Sequence, residues 1–190
     1  MADTIGMVLC ILVAMSIVVG AAQAAPTGCD SAPRLFAELG TKTKLEKEIR
    51  INGMHIEATA KELAAAAGKA EDAKTLSVLR YAIENATQHG IEDMYFPELA
   101  RLKLEVIESA GATEIRITND LHKKFPDRLA RTFAPGEQVE LSIQDRPFPR
   151  GMGMGLPQIF RSFADFPAGS QMSWNPQGSR SVTFRLRFPH

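Results

Sequence analysis

The residues with the clearest chemical potential are Gly151, Gly153 and Gly155, three glycines at alternate positions between Arg150 and Leu156. Glycine has no Cβ, so the backbone there can turn tightly and offer bare N–H groups to an anion. The apolar segment that follows, Leu156 to Phe163, has helical spacing. Leu156, Ile159, Phe160 and Phe163 share one face, and Pro157 falls in the first turn, where proline is tolerated. A helix beginning there turns its positive end toward the same anion. This is the build of a phosphate-binding loop, with Arg150 placed to add charge. Met152 and Met154 read as lid or core filler.

A second polar cluster lies upstream: Glu84, Asn85, Ala86 and His89. The helix that carries it is the clearest in the chain. From Ala73 to His89, Leu76, Leu79, Ile83 and Ala86 fall on one face, and Gly90 ends the run. Plainer readings stand beside the chemical one. Glu84 and Asn85 could decorate an exposed helix face, His89 could complement the helix C-terminus, and the glycines could form an ordinary turn.

Composition sets the bounds. The chain has 190 residues, 45% of them hydrophobic, enough for one domain plus an appendage. The 22 basic residues cancel the 22 acidic ones, and no basic run is interleaved with aromatics, so nucleic acid is not an expected partner. Cys10 and Cys29 are the only cysteines, and His55, His89, His122 and His190 are too scattered to suggest a metal cluster. His55 reads as a surface or sheet-edge residue.

Residues Ile5 to Ala25 carry no charge, a length able to cross a bilayer core of about 30 Å as a helix. Positive charge follows the segment at Arg34, Lys42 and Lys44, which favours a retained anchor in the inner membrane, single-pass, with the rest on the cytoplasmic side. Ala22-Gln23-Ala24 has the form of a signal-peptidase site, so export after cleavage is the alternative. Cys29 as a lipidated cysteine and a misplaced start codon are remoter options. The expected organisation is an anchor or signal over residues 1–25, a linker over 26–44 punctuated by Pro26, Gly28, Pro33 and Gly40, and a domain over 45–190.

Within the domain, Glu48 to Ala58 reads as extended with a kink at Asn52-Gly53, and Glu62 to Ala67 as a short helix closed by Gly68. Arg101 to Ser109 and Thr113 to Thr118 alternate around Ala110-Gly111, a hairpin signature. Leu121 to Phe148 is interrupted by prolines and reads largely as loop. Met172 to Trp174 and Val182 to Phe188 read as strands. The fold class expected is α+β, a mixed sheet with helices on one face.

The order of these elements resembles the GHKL ATP-binding family, and within it the catalytic (HATPase) domain of bacterial sensor histidine kinases. The resemblance rests on Glu84-Asn85-Ala86 with His89, the hairpin ending Ile117-Thr118-Asn119-Asp120, Gly151-Met-Gly153-Met-Gly155-Leu156, and the closing strand to Phe188-Pro189. It covers roughly residues 45 to 189. It implies a Bergerat-type two-layer α/β sandwich that binds ATP and Mg²⁺. Asn85 would hold the metal, since an amide oxygen is a suitable hard ligand. His89 would face the same groove, and Gly151, Gly153, Gly155 and Leu156, with Arg150, would cradle the phosphates. Asn119, with Asp120 beside it, would meet the adenine.

Three departures from the family pattern bear on function. The adenine box lacks its glycines and has Asn119 where the family has a carboxylate. An Asn carbonyl can still accept the adenine amino hydrogen bond. Tyr81 stands where hydrolysing relatives place a Glu general base, and a phenol is a poor base for activating water at neutral pH. Too few residues precede the domain for a two-helix dimerisation hairpin with its phosphoacceptor histidine. The resemblance therefore implies a signal-transduction kinase module with no catalytic side chain of its own. It would position Mg-ATP for transfer to a phosphoacceptor or regulatory protein on another chain of a two-component system, with a homodimer among the expected assemblies. A non-catalytic GHKL-fold scaffold and an anti-sigma-type serine kinase are the alternatives.

Overall fold

The computed structural model describes residues 40–89, 100–121, 125–139, 155–178 and 180–190, with the backbone alone of His89. The expected N-terminal apolar helix, and with it the question of anchor or signal, lies outside the described residues. Among the described residues no helix is long and apolar enough to cross a membrane.

Strand β1 (Lys42–Ile51) begins inside the segment expected to be linker. Leu45, Ile49 and Ile51 turn toward the core, and Lys47 on the same face is ion-paired with Glu62 of the next helix. The extended reading of Glu48 to Ala58 is corrected here. Asn52 ends the strand because its side-chain oxygen accepts the Met54 N–H at 3.1 Å, which starts a 3₁₀ turn over Gly53–His55. Helix α1 (Ile56–Ala66) follows at once. His55 is exposed there, its Nδ1 2.9 Å from Asn52 Oδ1. The core-facing residues of α1 are Thr59, Ala60, Leu63 and Ala64, a helical stripe of mostly small side chains. Gly68 closes α1 in the left-handed region at φ +69°, while Gly68 N donates to Ala65 O and Lys69 N to Ala64 O. That pair of bonds satisfies carbonyls the helix end leaves open.

Helix α2 (Ala73–His89) has the expected bounds. Asp72 caps it, accepting from Lys74 N at 3.1 Å and from Thr75 Oγ1 at 2.5 Å. Its buried stripe is Thr75, Val78, Leu79, Ala82, Ile83 and Ala86. Strands β2 (Ala100–Ser109) and β3 (Ala112–Asp120) form the hairpin. Beyond them come a 3₁₀ turn at Asp127–Leu129, the two-residue strand β4 (Thr132–Phe133), helix α3 (Gly155–Phe163), and strands β5 (Gln171–Gln177) and β6 (Ser181–Pro189).

The six strands make one sheet in the order β1-β2-β3-β6-β5-β4. Every described pairing is antiparallel, so the expectation of a mixed sheet is corrected. The reason lies partly in the connection from β1 to β2. It carries two helices, and the second returns the chain to the end it left, whereas a parallel neighbour needs a single crossover. The class is α+β. Leu102, Leu104, Val106, Ile115, Ile117, Phe184, Leu186 and Met172 alternate onto one face and pack with α1, α2 and α3 in a continuous core. Burying each such side chain stabilises the fold by roughly 1.5–3 kcal/mol. An aromatic group fills the space beneath α3. Phe133 and Phe160 meet edge-on at 4.9 Å, and Trp174 lies 5.8 Å from Phe133 and 5.3 Å from Phe184.

Candidate functional site

The site expected from sequence depends on two elements far apart in the chain, α2 and the glycine run that opens α3. These helices pack against each other. Ser77 Oγ and Ser162 Oγ are 2.9 Å apart, and Lys74 Nζ donates to Asp165 O at 2.9 Å. Asn85, near the other end of α2, lies against Gly155, the first residue of α3. The two helices therefore run antiparallel, and the end of α2 that bears Asn85 meets the start of α3.

Ser77, Tyr81 and Asn85 recur every four residues, so they share a stripe of α2. Serines at 77 and 162 keep the seam narrow at one end, and Gly155 keeps it narrow at the other. A Cβ on Gly155 would come within 2.9 Å of Asn85 Nδ2 and 3.6 Å of Asn85 Cβ. Gly155 is not in the left-handed region, so its role here is close approach and not an unusual backbone turn. The amide nitrogen is the nearest atom to the glycine. The amide oxygen of Asn85, the atom that suits a hard cation, lies farther from Gly155.

Leu156 is half-buried and packs on the core, while Ile159 and Phe163 are fully buried. The first turn of α3 is thus fixed by Leu156 packing on the core, with the Asn85 side chain beside Gly155. Tyr81 is half-buried, with Arg80 donating to its hydroxyl at 3.2 Å and the guanidinium 5.0 Å from the ring centre. Glu84 lies one residue, about 100°, round from Asn85 and accepts from Gln88 Nε2 at 3.3 Å.

Strand β3 separates Asn119 from Asp120. Asn119 pairs in register with Leu102 and Val182 and is 6% exposed. It shares the parity of Ile115 and Ile117, so it stands on the helix-bearing face at the strand's end. Its Nδ2 makes one long bond, to Asp120 O at 3.3 Å. Asp120 is exposed and alternates to the opposite face, so the structure sets it apart from Asn119. Arg150, Gly151, Gly153 and the His89 side chain lie outside the described residues. Of the site residues predicted from sequence, then, Asn85 and Gly155 meet on the α2–α3 seam, Leu156 packs on the core, and Asn119 stands on the helix-bearing face of the sheet.

Sequence reasoning missed the Ser77–Ser162 pair and the packing role of Gly155. Small residues at helical spacing on both segments were the available signal. Among the described residues no three His, Cys, Asp or Glu side chains gather as a metal cluster. The displaced carboxyl pKa values lie elsewhere, in surface ion pairs. Arg101 lowers Glu48, Lys44 lowers Glu108, and Arg131 lowers Glu137, each chiefly by a hydrogen bond to the carboxylate.

No family model and no curated protein matches this chain.

Proposed function

We propose that residues 40–190 form a GHKL-like nucleotide-binding domain of the Bergerat type. It binds ATP with Mg²⁺ and positions it for phosphoryl transfer to an acceptor on another chain. The observation that carries the reading is the contact between Asn85 and Gly155. It brings the amide of the predicted metal ligand to the first residue of the helix that ends the predicted phosphate loop.

The residues fit the ligand. A side chain at 155 would fill the space that the Asn85 amide uses. The N-terminus of α3 offers backbone N–H groups with no partner inside the helix. Asn85 supplies an oxygen of the type Mg²⁺ prefers. When bound, the metal supplies neutralisation of phosphate charge. Asn85 and Gly155 would hold and orient the triphosphate end, and Asn119, on the same side of the sheet, would face the base. Nothing in this set activates water: Tyr81 occupies the stripe position one turn before Asn85, and Glu84 is turned away onto Gln88. Positioning without hydrolysis suits transfer to a nucleophile supplied by another protein.

Titration of the full chain with a fluorescent ATP analogue, with and without Mg²⁺, tests this reading. Metal-dependent binding that is lost in Asn85→Ala is the expected result. Absence of binding at millimolar nucleotide would leave the scaffold reading, in which the same helix seam is purely structural. If nucleotide binds, the acid lability of the phosphorylated acceptor separates phosphohistidine from phosphoserine.

A further inference from the structure

Strand β1 is the end strand of the sheet, and no described strand pairs with its outer side. The hydrogen-bonding parity of the sheet decides which residues lie open there. Pro189, which has no N–H, is in register with Ala112, while Leu121 N donates to Arg180 O at 2.6 Å. The odd-numbered residues of β3 therefore bond to β6 and the even-numbered ones to β2. The same alternation turns Leu102 and Leu104 of β2 toward β1, where they meet Ile49 and Lys47. What remains on the outer edge is the backbone N–H and C=O of Glu46, Glu48 and Arg50. Their side chains are exposed on the helix-free face.

Such an edge invites a further strand unless something blunts it. Two blunting devices are present on β1, and neither closes this stretch. The bulge between Thr43 and Leu45 lies ahead of it. Lys47 points inward, but Glu62 of its own chain neutralises it. From Leu45 to Ile51 the strand keeps regular register with β2. That stretch also complements itself. An antiparallel pair related by a two-fold axis at Ile49 sets Glu48 of each copy opposite Arg50 of the other. Glu46 then faces Asn52, Lys47 faces Ile51, and Ile49 faces its own mate, so no like charges meet. An axis at Glu46, Lys47, Glu48 or Arg50 sets that charge against itself, and one at Leu45 runs into the bulge. Ile49 is half-buried against the core, and its mate would extend that burial.

We propose that β1 pairs antiparallel with β1 of a second copy of this chain, centred on Ile49, and so joins two six-stranded sheets edge to edge. The interface is isologous: one strand supplies both halves, as a two-fold dimer requires. Main-chain bonds from Glu46, Glu48 and Arg50 hold the pair, and the two Glu48–Arg50 contacts fix its register. The paired stretch is short, so the dimer is a reversible one. The proposal is independent of the nucleotide reading, since β1 contributes no residue to that site.

The test is disulfide trapping in the full chain, with Cys10→Ser and Cys29→Ser removing the native thiols. A mild non-ionic detergent keeps the uncharged segment 5–25 in solution. Ile49 falls in the non-hydrogen-bonded kind of pair, whose Cα atoms stand about 4.5 Å apart, inside the roughly 4.4–6.8 Å that a disulfide spans. Ile49→Cys should therefore give a covalent dimer under diamide. Met54→Cys is the control for random collision. Met54 is 85% exposed, but it follows Asn52, which lies about 10 Å from the axis at roughly 3.3 Å per residue, so it should not cross-link. Arg50→Glu sets like charges opposite and should slow trapping at Ile49→Cys by about fivefold or more. Adding Glu48→Arg exchanges the two charges and should restore the rate. Sedimentation of the native chain against Arg50→Glu needs no cysteine and should show the larger dimer fraction in the native chain. No trapping at Ile49→Cys, equal trapping at Met54→Cys, or a charge exchange that fails to restore the rate overturns the proposal. So does a native chain that sediments like Arg50→Glu, the result expected if this edge pairs with a different protein.

Discussion

Asn85 and Gly155 touch across the seam between α2 and α3, and a methyl group at position 155 would meet the Asn85 amide nitrogen at 2.9 Å, so that side chain must move to admit it. The backbone at Gly155 lies outside the left-handed region, so alanine there is a test of space alone. Gly155→Ala should push the Asn85 side chain away from the start of α3. Helix propensity favours alanine by up to about 1 kcal/mol, and the one crowded atom is the end of the flexible Asn85 side chain, so the opposing cost is small. The net stability change is therefore small, while on the proposed nucleotide-binding function the Mg²⁺-dependent binding should fall by about tenfold or more. In an Asn85→Ala background the same substitution should cost nothing, because the crowded amide is gone. A double-mutant cycle by urea denaturation reads the coupling, expected in the range of about 0.5–3 kcal/mol.

The cap of α2 sets the orientation of the same helix from its far end. Asp72 accepts the Lys74 N–H and the hydroxyl of Thr75, which is fully buried. Asp72→Ala should destabilise the domain by about 1–2 kcal/mol, seen as a lower urea midpoint with an unchanged slope. Asp72→Asn, which keeps an acceptor oxygen, should recover most of that loss.

The helices and hairpin were legible because their patterns are strong and local. The Ala73–His89 stripe and the alternation of β2, β3 and β6 follow directly from which side chains are apolar. Ile56 was misread because Ile49, Ile51 and Ile56 continue an apolar pattern through Asn52-Gly53. The alternative stripe of α1 is built of Thr59, Ala60 and Ala64, whose small side chains give weak contrast. Strand direction was not legible, since it depends on how many helices pack in each connection. Two candidate motifs were legible, and the resemblance implied that they share one groove. The particular contact of Asn85 with Gly155 was not legible, because antiparallel packing of α2 on α3 is a tertiary fact. Register also decided what adjacency in sequence left open: Asn119 faces the helices and Asp120 does not.

Phe133 anchors the segment between β3 and α3. It belongs to a strand of only two residues, yet it is fully buried and meets both Phe160 and Trp174. Two backbone pairs to β5 cannot hold that segment alone. Phe133→Ala should therefore cost about 3–5 kcal/mol and release β4 from the sheet. Hydrogen exchange should show faster exchange at Thr132 and Phe133, while the amides of β2 and β3 keep their protection.

Acid should loosen the turn that follows β4. Arg131 Nη1 lies 2.6 Å from Glu137 Oε1, and the other carboxylate oxygen accepts the Ala134 N–H at 3.2 Å. Together these hold the Glu137 carboxyl below its ordinary range, the Arg131 hydrogen bond contributing most. A carboxyl lowered on folding stabilises the native state above its unfolded pKa, about 4.3 for Glu, and loses that contribution as pH falls through the lower folded value. Both side chains are substantially solvent-exposed, so the pair is worth no more than about 1 kcal/mol. Glu137→Gln should accordingly be less stable than the native chain at pH 7, and the gap should close as the pH is taken below about 4. Urea midpoints of the two proteins across that range measure it, and a gap independent of pH would assign the effect to the turn's hydrogen-bond geometry instead of its charge.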